Sequence, residues 1–170
     1  MQALSPRANT SRTLYTAEER RRRDASGWTL VQGILAPLQF LVFLVSLALV
    51  ARYLASGAGH EAAAVSVLVK TLALYAIMIT GCLWEKAVFG RYLFAPAFYW
   101  EDVFSMLVLA LHTAYLLAFA FDLLEPRAQM HLALAAYAAY AINATQFLLK
   151  LRAARRDVAR AATGIVGASA

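Results

Sequence analysis

Residues 99–117 read YWEDVFSMLVLALHTAYLL, a strongly apolar run that opens on two carboxylates, Glu101 and Asp102, and holds a histidine, His112, near its middle. Ionisable groups at the depth of a bilayer-spanning helix are costly to keep, and they tend to mark function. At about 100° per residue, Glu101, Ser105, Val108, His112, Tyr115 and Phe119 fall on one helical face. A third carboxylate, Glu85, lies across the preceding link. Carboxyl groups brought together divide acid and base roles between them, which is the chemistry of proton delivery and return. His112, read alone, is either a satisfied packing residue or a neutral ligand and base.

Other chemistries lack their signatures. No His pair stands at i, i+4, no Cys–His cluster occurs, and no glycine-rich phosphate loop is present. Bis-His haem ligation needs a second mid-membrane histidine, but His60 and His131 sit at span ends. Cys82 is the single cysteine, so no disulfide framework exists, and it reads as a small buried hydrophobe. What remains is an aromatic-rich pocket with carboxylates at its rim and one internal imidazole. Such a pocket suits a large, flat, mostly apolar ligand with a polar edge.

The elements that must position these groups follow from composition. The chain has 170 residues, is 62% hydrophobic and 15% charged, and has a mean hydropathy of +0.59. A soluble domain of this length has too little interior for so much apolar surface. The expected fold is an all-α integral membrane protein, a bundle of four transmembrane helices near 28–54, 62–84, 103–124 and 131–151. Around them lie a basic N-terminal segment (1–27), the membrane domain (28–151) and a basic tail (152–170). The first apolar run is too long for a signal-peptide core and follows a long polar leader, so it reads as a retained span.

Lys and Arg placement orients the bundle. The leader carries six, the middle link two and the tail five, whereas the other two links carry one each. Both termini are therefore expected on the cytoplasmic side. The net charge of +6 sits beside apolar runs rather than among exposed aromatics, so nucleic acid is not an expected partner. Thr16 and Glu19 fit a capping box opening a basic surface helix whose arginines either meet anionic headgroups or only set topology.

Polar residues recur along the other spans as well. Gln32, Gln39 and Ser46 share seven-residue spacing with Pro37, a predicted kink, between them, and Asn143, Gln146 and Lys150 share a face near Tyr140. Lipid cannot satisfy such groups, so these seams are expected to face one another. Interhelical hydrogen bonding accounts for Gln39, Asn143 and Gln146 as well as a functional role does. Lys70 is expected to snorkel toward the outer interface.

The stretches WTLVQGILAPLQFLVFLVSLALV, VKTLALYAIMITG and WEKAVFGRYLFAPAFYWEDVFSMLVLALHTAYL resemble the 3-vinyl bacteriochlorophyllide hydratases, integral membrane enzymes of bacteriochlorophyll synthesis in phototrophic bacteria. The resemblance runs from about Tyr15 through the fourth span. It implies a hydro-lyase that adds water across the C3-vinyl group of chlorophyllide a or bacteriochlorophyllide a, without a redox cofactor, in the bacterial inner or intracytoplasmic photosynthetic membrane. The lipid bilayer and other enzymes of the same synthesis are the implied partners. Glu101, with Glu85 or Asp102, is then expected to supply acid and base. His112 would ligate the Mg²⁺ of the pigment, with Trp84, Phe98, Tyr99 and Trp100 at the entrance and Ser105, Tyr115 and Asn143 along the pocket. Two other readings compete. A non-enzymatic tetrapyrrole-binding or carrier protein would need His112 and the aromatics but not the carboxylates. A small transporter fits poorly, because no inverted repeat or broken half-helix is present.

Overall fold

The computed structural model describes residues 14–167, with side chains described up to residue 156. Arg7 and Arg12 of the expected basic leader lie outside the described residues. Five helices make up the described chain: α1 (Ala17–Ala25), α2 (Gly27–Ser56), α3 (His60–Phe89), α4 (Tyr99–Ala120) and α5 (Pro126–Gly167). The last four are long and apolar enough to span a bilayer, α5 doing so within Pro126–Arg156. The protein is a multi-pass, all-helical membrane protein.

Local chemistry sets the helix ends. Thr16 and Glu19 form the expected capping box, the Glu19 N–H donating to Thr16 Oγ1 at 3.2 Å and the Thr16 N–H to Glu19 Oε2 at 2.8 Å. Gly57 and Gly90 close α2 and α3 at φ 73° and 78°, a left-handed conformation that glycine adopts without a Cβ penalty. No breaker stands between Trp84 and Gly90, so α3 runs five residues past its expected end and takes in Glu85. Pro126 opens α5 at the position where its missing N–H costs nothing. α5 also continues well past residue 151. α2 passes through Pro37 as one helix.

Two antiparallel hairpins result, α2 against α3 and α4 against α5, which contact each other more sparsely than their own helices do. The seams predicted from polar spacing turn inward. Buried on α4 are Glu101, Asp102, Ser105, Val108, His112, Tyr115 and Ala118, the predicted stripe with Phe119 turned outward instead. Gln39 and Ser46 are buried on α2, and Gln32 donates from α2 to Thr80 Oγ1 on α3 at 2.7 Å. Ser46 shares hydrogen bonds with Ser66 of α3 and Tyr137 of α5, tying three helices together in the apolar layer.

Candidate active site

Where α3 ends and α4 begins, three carboxylates converge. Glu85 (5% exposed), Glu101 (7%) and Asp102 (4%) are all buried. The linking segment folds over two of them. Asp102 Oδ2 accepts from the Phe94 N–H at 2.7 Å, and Glu85 Oε2 accepts from the Ala95 N–H at 3.3 Å. Phe94 adopts φ 58°, a strained conformation for a bulky residue, and Asp102 holds it there. Glu85 and Asp102 neighbour each other across the two hairpins. Each commits one oxygen to the loop.

Glu101 differs. Its Oε2 receives a 2.6 Å hydrogen bond from Lys150 Nζ of α5, an ion pair whose ammonium also lies 5.0 Å from the Phe98 ring. The helical spacing places Asn143 and Lys150 on one face of α5. Asn143 Nδ2 accordingly donates to Ser105 Oγ at 2.8 Å, one turn deeper than the ion pair. Glu101 is thus engaged by a cation, while Glu85 and Asp102 make no ion pair among the described residues.

An aromatic box closes this end. Phe98 is buried among Trp84, Phe89 and Phe147, with ring centroids 5.7 to 5.9 Å apart. Tyr15, just before α1, stacks on Phe89 at 5.8 Å and is itself covered by the Arg23 guanidinium. Burial pushes the Tyr15 phenol up, and the guanidinium opposes that rise. Trp84 Nε1 donates to Thr29 Oγ1 at 3.0 Å, and the Thr29 hydroxyl donates to the Arg23 carbonyl, so α1 is strapped to the box. Of the four expected entrance aromatics, Trp84 and Phe98 belong to the box. Tyr99 and Trp100 instead pack on each other at the outer surface of the bundle, Trp100 being 67% exposed. An amphipathic ring suits that interfacial level.

Deeper in the bundle, His112 is fully buried beside Tyr137, and its Nδ1–H donates to the Val108 carbonyl at 2.8 Å. That bond fixes the tautomer with a free lone pair on Nε2, the form that ligates a metal. Among the described residues, Nε2 has no hydrogen-bond partner, nor do Tyr115 OH, Lys70 Nζ, Gln39 Nε2, Asn143 Oδ1 and Gln146 Oε1. Every spanning helix therefore offers at least one unmatched polar atom to the interior. Buried polar atoms are nearly always paired, so a set of this size sets the bundle interior apart from an ordinary apolar core.

Lys70 does not snorkel. It is fully buried, and its ammonium sits 3.8 Å from the centroid of the Tyr140 ring. A desolvated cation–π contact contributes about 2 kcal/mol. Removing an ammonium from water costs several kcal/mol. Tyr140 alone leaves the charge under-compensated.

Two apolar grooves, lined by Leu41, Val42, Val45, Ser66 and Val69 and by Ala141, Ile142, Thr145, Gln146 and Leu149, lie away from the carboxyl pair. Among the described residues no cluster of His, Cys, Asp and Glu suits a resident metal ion. Sequence reasoning missed Lys150, Tyr15 and Tyr137 as parts of these assemblies. The Asn143–Lys150 spacing carried a signal for the first; nothing in local sequence pairs Tyr15 with Phe89.

Fold and site together define a small four-span membrane protein with a buried carboxyl pair beside an aromatic box. Residues 15–153 match the family model of 2-vinyl bacteriochlorophyllide hydratase, and the chain belongs to that family. Two relatives of that name show the same relation. The protein of Rhodobacter capsulatus is 64% identical over 155 residues, covering 91% of this chain and 90% of its own. That of Cereibacter sphaeroides is 64% identical over 159 residues, covering 93% and 98%. No solved structure matches.

Proposed function

We propose that this protein hydrates the vinyl substituent of chlorophyllide a or bacteriochlorophyllide a to a 1-hydroxyethyl group. That vinyl is position 2 in the older ring numbering of the family name and C3 in the current one. The observation that carries the reading is the buried Glu85–Asp102 pair at the seam of two hairpins, in a chain of this family.

The chemistry is acid-catalysed addition. A carboxylic acid delivers its proton to the terminal CH₂, forming a C–H bond from the alkene π pair. Positive charge develops on the inner carbon, where the conjugated macrocycle spreads it. Water attacks that carbon through oxygen, and its surplus proton passes to a carboxylate, restoring the acid–base pair. No electrons are gained or lost, so the step needs no redox cofactor. Glu101 already accepts from Lys150, so Glu85 and Asp102 take the acid and base roles. The Glu101–Lys150 pair fixes α5 against α4 at the site and offers polar contact to the attacking water. Trp84, Phe98 and Phe89 supply apolar walls that favour a delocalised cation over bulk water. Ser105, Asn143 and Tyr115 line the path inward.

His112 is assigned to the pigment's own Mg²⁺ as axial ligand, supported by its unmatched Nε2 lone pair. Ten residues separate Asp102 from His112, about 15 Å along α4. That length lets side chains reaching toward each other bracket the macrocycle between metal and vinyl edge. The pigment would enter by parting the two hairpins, which hold each other less tightly than they hold themselves.

The same proposal sets the protein in the inner membrane of a phototrophic bacterium. The carboxyl end and both termini face the cytoplasm, in keeping with Arg20 to Arg23, Lys86, Arg91 and Lys150 at that end. Other enzymes of the synthesis are its natural neighbours there. Membranes containing the protein, incubated with chlorophyllide a, are expected to give a product heavier by one water without added nucleotide. Pigment bound but recovered unchanged would leave the carrier reading in its place.

A further inference from the structure

Lys70 makes no ion pair among the described residues. Its side chain is fully buried in α3, its Nζ has no hydrogen-bond partner among those residues, and it lies 3.8 Å from the centroid of the Tyr140 ring. The carboxylates buried in the bundle are Glu85, Glu101 and Asp102, all gathered at the other level where α4 begins. Rings link Lys70 to the imidazole: Tyr140 and Tyr137 both pack on Phe43, and Tyr137 lies 5.9 Å from His112, whose Nε2 also has no partner among the described residues. An unpartnered amine on α3 and an imidazole lone pair on α4 thus lie in the same bundle interior, beside Tyr137 and Tyr140 of α5.

We propose that Lys70 receives the propionate carboxylate of a free-acid tetrapyrrole and so selects the acid over its esters. This rests on the hydratase reading above. The argument is one of charge matching. A buried ammonium left alone is unfavourable, and so is a buried carboxylate left alone. Brought together, each removes the other's penalty. The placement also orients the macrocycle. A propionate near Glu85, Glu101 and Asp102 would be repelled, so the uncharged vinyl edge is the one left to face them. The metal lies between the two edges, at the level of His112. Esterification deletes the negative charge and leaves Lys70 unmatched, so esters bind less well even though the reacting vinyl group is unchanged.

The test compares chlorophyllide a with its methyl ester, which differs only by the masked charge, on the detergent-solubilised full-length protein. For the wild type, KM for the ester is expected to exceed that for the acid by about tenfold or more, with kcat little changed. Lys70→Met should raise KM for the acid to the ester's level and leave the ester untouched; Lys70→Arg should keep the preference. A residue that only packs would lower both substrates together and leave the preference intact. Equal KM values for acid and ester in the wild type would overturn the proposal, whether or not Lys70→Met folds. So would a preference that survives in Lys70→Met. If the wild type hydrates neither pigment, the hydratase reading fails on its own. The Lys70 assignment is then read from absorbance titration of binding, where equal affinity for acid and ester overturns it.

Discussion

Glu85 and Asp102 each use one carboxyl oxygen to hold the loop, and under the proposed acid and base roles their removal should separate catalysis from binding. Glu85→Gln and Asp102→Asn are expected to lower hydration by about 10²-fold or more, the usual contribution of a positioned acid or base. Pigment affinity, followed by absorbance titration, should change little. Near-normal turnover in both would return the acid role to Glu101. Glu101→Gln should instead act first on stability. Losing a charge-assisted bond to a half-buried Lys150 costs about 1 to 3 kcal/mol, and adding Lys150→Met should recover part of the thermal shift. His112→Ala is expected to weaken binding of chlorophyllide but scarcely that of its Mg-free pheophorbide. Equal loss for both pigments in a stably folded variant would reject metal ligation. The α4 stripe behind these choices was legible because a 3.6-residue period survives any helix packing. The Lys150 partner was not, because its pairing depends on how far α5 slides against α4. Lys70 was misread for a related reason: hydropathy gives a residue's depth, not whether it faces lipid or the bundle.

At the scale of elements, turn chemistry decides where the site is assembled. Gly90 sits at φ 78°, and a Cβ placed there would meet nothing within 4 Å. Gly90→Ala therefore carries only a conformational cost, about 1 kcal/mol, visible as a lower unfolding midpoint in detergent. Because Gly90 sets the path of the segment holding Phe94 and Ala95 over the carboxyls, turnover should fall more than stability does. An unchanged midpoint would mean that the loop is not held in this conformation. The four spans were legible from apolar run length alone. Their ends were not, since α3 stops at a left-handed glycine and α4 begins at Tyr99 under a folded link, both matters of backbone conformation rather than hydropathy.

For the whole molecule, the proposed orientation and the continuity of α5 can be read together. With Cys82 replaced by alanine and Ala58 by cysteine, a membrane-impermeant thiol reagent should label the link between α2 and α3 from the non-cytoplasmic face. Labelling from the cytoplasmic face alone would invert the topology. That topology puts the far end of α5 in the cytoplasm, and α5 does not break between Asn143 and Gly167. From Lys150 onward it projects about 25 Å at the helical rise. Tail and site are thus parts of one rod: Lys150, which holds Glu101, stands on the same unbroken helix as the projecting end.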